Sequence, residues 1–127
     1  MDKDTIIRKY LGKKYGYHAS SACFLFVQDI FWQERGIKIK HDYLEMLRPF
    51  IPIADQGKPE PWDVVCFAKR GLVTDHVGVY LGDNEFIHGG HLDHKEVMVH
   101  RVNLDPYRSI LQGYLRYDQT KDIGLKF

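Results

Sequence analysis

The stretch from Thr74 to Gly90, TDHVGVYLGDNEFIHGG, limits what this chain can fold into more than any other. Apolar residues flank a tight polar turn, Gly82-Asp83-Asn84, and this pattern predicts two adjacent strands joined as a hairpin with a buried face. His76 opens the first strand and His88 lies near the end of the second. Their separation is even, so both side chains fall on one face of the sheet, and antiparallel pairing brings them close. A single histidine in such a place is most simply a satisfied structural residue. A pair needs a chemical partner, and the best candidate lies far upstream, at Cys23.

Read in order, the chain begins with a helical face made by Ile6, Ile7, Tyr10 and Leu11, with Asp4 as its cap and Gly12 as its end. A loop from Lys13 to Ala19 follows. Ser20-Ser21 then opens a second helix, either serine accepting from the free N–H groups of the first turn. Cys23, Phe24, Phe26, Val27, Ile30 and Phe31 cover a broad apolar face, and Gly36 closes the helix. Cys23 thus falls in the first turn, where the helix dipole and free N–H groups favour an anion and lower a thiol pKa. The same position suits a core cysteine equally well. Cys66, inside Val64-Val65-Cys66-Phe67, reads as a buried strand thiol.

Further along, His41 to Leu47 reads as a short helix ended by Pro49 and Pro52, and Asp55 to Pro61 as a surface loop within the domain. Trp62 to Ala68 is a strand, Lys69 to Thr74 its turn, and Glu96 to Val102 a half-buried strand. Leu104 to Leu111 is a short helix and Gly113 to Tyr117 the last strand; the final ten residues carry little pattern. Helices first and strands after predict an α+β fold with a mainly antiparallel sheet, the Cys23 helix packed against it. The 127 residues suit one domain, residues 1–127.

Several function classes lack support. With a net charge of +1 and no basic face, nucleic acid binding has no electrostatic basis. No apolar run approaches the roughly 18 residues that a spanning helix requires, so membrane insertion is not expected. The opening MDKDTIIRKY has charges of both signs and no apolar core, so no secretory signal is expected. Two cysteines without a CxxC pair suggest neither a disulfide scaffold nor a zinc ribbon. His88, His91 and His94 recur at intervals of three beside Asp93, a spacing that gathers metal ligands on a helix. Gly89-Gly90 argues against a helix there, so this is read as a histidine-bearing loop, and no metal or cofactor is expected.

A cysteine nucleophile needs help in becoming thiolate, a group to protonate the leaving amine, and a third group that fixes the second. One histidine can supply the base and acid, and the other histidine, an amide or a carboxylate can fix its ring. Cys23 at the start of a long amphipathic helix ending ERGI, then PWDVVCF, then DHVGVYLGDNEFIHGG, resembles the NlpC-type cysteine peptidases of the papain-like superfamily. The segment Leu104-Asp105-Pro106-Tyr107 to Gly113-Tyr114-Leu115-Arg116-Tyr117 is similar to the compact versions found in phage tails.

The resemblance implies Cys23 as nucleophile, His76 as general base and acid, and His88 as the residue orienting His76. It implies Tyr15 upstream as a residue near the oxyanion site, a place the Cys23 backbone N–H can also serve. It further implies cleavage of amide bonds in peptidoglycan stem peptides, with no cofactor. The setting it implies is a virion tail tip among other tail proteins, acting in the host cell envelope. The alternative is a tail-tip structural or binding module that kept the fold and lost the activity. The chain departs from the family pattern at Ala22, where an Asp is usual, at Phe24-Leu25, where Ser-Gly or Trp-Gly is usual, and at Trp62, where Gly is usual.

Overall fold

The structure, a computed structural model, describes residues 1–15, 19–39, 43–90 and 96–123. Helix α1 spans Lys3–Tyr10 and is capped by Asp2, not Asp4: the Asp2 carboxylate accepts from the Thr5 N–H at 3.2 Å. Two residues further out, Asp2 has the extended backbone that an N-cap needs, whereas Asp4 already lies in the first turn. Helix α2, Ala19–Arg35, starts ahead of the serine pair, so Cys23 is its fifth residue. The short α3 is Tyr43–Met46.

The strands are β1 (Phe50–Pro52), β2 (Val64–Phe67), β3 (His76–Gly82), β4 (Glu85–Gly89), β5 (Val97–Arg101) and β6 (Leu111–Tyr117). They form one sheet in the order β1-β6-β2-β3-β4-β5, with every pairing antiparallel. Helix α4 (Tyr107–Ile110) precedes β6, and α5 (Gln119–Ile123) follows it. Strand β1 is an addition to the sequence reading, in which Pro52 ended a helix. It lies at the sheet edge, where a residue without an N–H is tolerated. Strand β2 is shorter than predicted because Trp62 sits in a turn with φ 78°.

The hairpin of β3 and β4 forms as predicted. Asp83 and Asn84 both take positive φ, 53° and 65°, the turn whose twist matches the flanking strands. The sheet is covered on both faces. On one face, Val64, Cys66, Val77, Val79, Leu81 and Ile87 pack with Phe26, Val27, Ile30 and Phe31 of α2. On the other, Val65, Phe67, Tyr80, Phe86 and Tyr114 pack with Tyr107 of α4. The first turns of α2 press closely on β4: a Cβ at Gly89 would stand 3.1 Å from both the Ala22 carbonyl oxygen and Phe26 Cβ. No helix among the described residues is long and apolar enough to cross a membrane.

Candidate active site

The close contact at Gly89 brings the start of α2 down to the open end of the β3–β4 hairpin. There the main-chain N–H of Val77, the residue next to His76, pulls the Cys23 thiol pKa down. The thiol is fully buried. Burial pushes its pKa up, and this outweighs the amides of Val77, Phe24 and Cys23 itself and the charge of Lys69, all of which pull it down. The sequence reading expected a lowered thiol. The helix start does contribute in that direction, but Cys23 lies two or three residues deeper than predicted and the apolar packing of α2 dominates.

Both histidines are buried, His76 with 1% and His88 with 0% of its surface exposed. His76 Nε2 lies 2.7 Å from His88 Nδ1, and the rings meet edge to face. The β3–β4 register pairs Val79 with Ile87. Carried one step further, it sets Gly78 opposite His88, with His76 on the diagonal. Glycine is needed there, because a Cβ at Gly78 would come within 2.9 Å of the Phe86 ring and 3.0 Å of His88 Cβ. The loop leading into His76 is fixed by Asp75, whose carboxylate accepts from the Lys69 N–H at 2.8 Å and the Arg70 N–H at 3.1 Å.

A third histidine joins this pair. His88 Nε2 lies 2.8 Å from Nδ1 of His100 on β5, and the Tyr107 hydroxyl lies 3.4 Å from the same nitrogen. Sequence reasoning placed His100 in a strand and gave it no role. The signal was present, since the twelve-residue step from His76 to His88 recurs from His88 to His100.

Tyr15 is placed elsewhere. Its hydroxyl donates to Asp29 in a very short hydrogen bond, and its ring packs edge to face on Phe26 at 5.4 Å. Asp29 is six residues beyond Cys23, about 9 Å along the helix axis. Tyr15, Asp29, Leu25, Gln28, Trp32 and Lys38 instead line a depression on the outer side of α2. His91, Asp93 and His94, weighed above as metal ligands, lie outside the described residues.

The model of the NlpC/P60 family matches residues 12–116 of the chain. The chain belongs to the NlpC/P60 family. Solved members of the family have the same fold. An NlpC/P60 family protein from Bacillus cereus ATCC 10987 superposes with a TM-score of 0.71 at 24% identity, over 91% of this chain and 39% of that one. For NlpC2 from Trichomonas vaginalis the values are 0.70 and 22%, over 91% and 45%. For the NlpC/p60 domain of the peptidoglycan hydrolase SagA they are 0.63 and 18%, over 89% of this chain and 94% of that domain. This NlpC/P60 chain therefore spans less than half the length of the first two proteins and nearly all of the third. No curated protein matches it in sequence.

Proposed function

We propose that the chain is a cysteine peptidase that cleaves amide bonds in peptidoglycan stem peptides, with Cys23 as nucleophile, His76 as general base and acid, and His88 as its orienting partner. The observation that carries this reading is the junction at Val77. The amide next to His76 favours the Cys23 thiolate, while His76 Nε2 is bonded to His88. With Nε2 so engaged, Nδ1 is the nitrogen that takes the thiol proton. The sulfur then attacks the scissile carbonyl carbon, and His76 returns the proton to the leaving amine as the C–N bond breaks. Water, deprotonated by His76, hydrolyses the thioester and the thiol is restored. Family membership supports this chemistry, and the name of SagA as a peptidoglycan hydrolase supports the substrate.

The test is incubation of wild type and Cys23→Ala with purified peptidoglycan, followed by mass analysis of released muropeptides. Release by wild type alone is expected, and its mass names the bond cut. In the same preparation, iodoacetamide near neutral pH should label Cys23 faster than Cys66, whose thiol burial pushes up to about 12.

We place the enzyme at a virion tail tip, opening the host cell wall during genome entry beside other tail proteins. The support is the resemblance of the segment Leu104 to Tyr117 to the compact versions found in phage tails. Mass spectrometry of purified virions, with and without tails, tests this setting. A second reading, a tail-tip structural module without activity, draws on the burial that raises the Cys23 thiol and on Ala22, Phe24 and Leu25 around it. Absence of release by wild type, together with an inert Cys23, would establish that reading instead.

A further inference from the structure

The hydrogen bonds across β3, β4 and β5 form an unbroken line of imidazoles, and the line has a direction. His88 is bonded through both ring nitrogens, Nδ1 to His76 at 2.7 Å and Nε2 to His100 at 2.8 Å. A neutral imidazole carries one N–H, so His88 donates at one end and accepts at the other. For His76 to present an open Nδ1 to the thiol, its own proton must sit on Nε2 and donate to His88 Nδ1. His88 must then carry its proton on Nε2 and needs an acceptor there. His100 Nδ1 is that acceptor.

We propose that His100 is a positioning residue: by accepting from His88 Nε2–H it selects the tautomers that leave His76 Nδ1 open toward Cys23. The inference rests on the peptidase reading for the roles of Cys23 and His76, and adds a residue to which that reading gives no part. Without the acceptor, the Nε2–H of His88 would lose the imidazole it donates to in a buried site. His88 would then favour the other tautomer and donate from Nδ1 to His76 Nε2. That moves the His76 proton onto Nδ1, and the base is blocked before any thiol reaches it. Tyr107 packs beside the same pair. Its ring is buried against both histidines, at 5.4 Å from His88 and 5.0 Å from His100. Burial keeps its phenol protonated, so its hydroxyl, 3.4 Å from His100 Nδ1, can donate or accept and leaves that nitrogen able to serve His88.

Two variants separate positioning from simple packing. Asn at residue 100 can place Oδ1 where Nδ1 stands, while Leu keeps the bulk and accepts nothing. On a soluble muropeptide, His100→Leu should lower kcat about 10- to 100-fold with KM and Tm little changed, and His100→Asn should recover most of the loss. Nitrogen-15 chemical shifts of the His76 and His88 rings, read without substrate, should report the Nε2–H tautomers in wild type and His100→Asn, and Nδ1–H on His76 in His100→Leu. Wild-type turnover in His100→Leu, or equal losses in both variants with a fall in Tm, would overturn the proposal. So would unchanged tautomers in His100→Leu. The tautomer measurement does not depend on cleavage, so a protein that releases nothing from peptidoglycan would refute the peptidase reading and still decide what His100 does.

Discussion

Gly78 and His88 face each other so closely across β3 and β4 that a Cβ on the glycine would stand 3.0 Å from that of the histidine. The same Cβ would come within 3.0 Å of the Ile87 carbonyl oxygen, which the backbone cannot easily move. Gly78→Ala is therefore expected to cost about 1–3 kcal/mol of stability, the usual range for overpacking. It should also displace His88 from His76, so muropeptide release should fall further than the loss of folded protein explains. Thermal unfolding alongside the release assay separates the two effects.

Trp62 occupies a left-handed backbone position, φ 78°, of the kind glycine adopts most easily. That conformation costs a side-chain-bearing residue about 1–2 kcal/mol. The ring offsets it by packing edge to face on Phe31 at 5.5 Å and under the Arg35 guanidinium at 5.4 Å. Trp62→Ala loses the contacts and keeps the strain, whereas Trp62→Gly loses both. Both variants should be less stable than wild type, with Trp62→Gly above Trp62→Ala by about 1 kcal/mol in denaturant titrations.

Asp63 is 1% exposed, and its two oxygens take Arg116 Nε at 2.8 Å and Nη2 at 2.9 Å. The carboxylate also accepts from the Glu60 N–H at 2.7 Å. Arg116→Met should cost about 3 kcal/mol, because it leaves a buried charge with one amide partner. Adding Asp63→Asn should return part of that loss. A double-mutant cycle by urea unfolding gives the coupling directly, and simple additivity would refute it.

Alkaline pH should destabilise the fold through its buried thiols and phenols. Burial pushes Cys66 up to about 12 from an ordinary value of 9.0, and Tyr114 up to about 12 from 10.0. Between those values the unfolded chain has lost protons that the native chain keeps, so stability falls as pH rises. Each such group contributes a slope of about 1.4 kcal/mol per pH unit. Cys66→Val removes one of these groups and should flatten the decline of unfolding free energy from pH 9 upward. An unchanged slope would show that Cys66 ionises in the native state.

The hairpin was legible because its period, its turn and its two histidines are local properties of one short segment. The same holds for α2 and for the central strands, whose apolar runs leave little choice of face. The edge strand β1 was not, since three residues ending in Pro52 carry no pattern of their own and become a strand only by pairing with β6. The depth of Cys23 was misjudged because two serines mark a cap plausibly, whereas the helix begins earlier, at Ala19. Tyr15 was matched by its place upstream of the cysteine. Its hydroxyl follows Asp29, a partner that no motif announces. His100 needed the β4–β5 register, which sets it opposite Phe86 and diagonal to His88.

The three linked histidines come from strands that follow one another along the chain, β3, β4 and β5. Cys23 comes from a helix far earlier in the sequence and meets them only where α2 docks at Gly89. The imidazole line is thus built from low contact order pairings, whereas the thiol of Cys23 joins it through a much longer loop closure. A nascent or partly folded chain can hold the imidazole line without a thiol beside it. On the peptidase reading proposed above, hydrolysis therefore depends on α2 staying docked against β4.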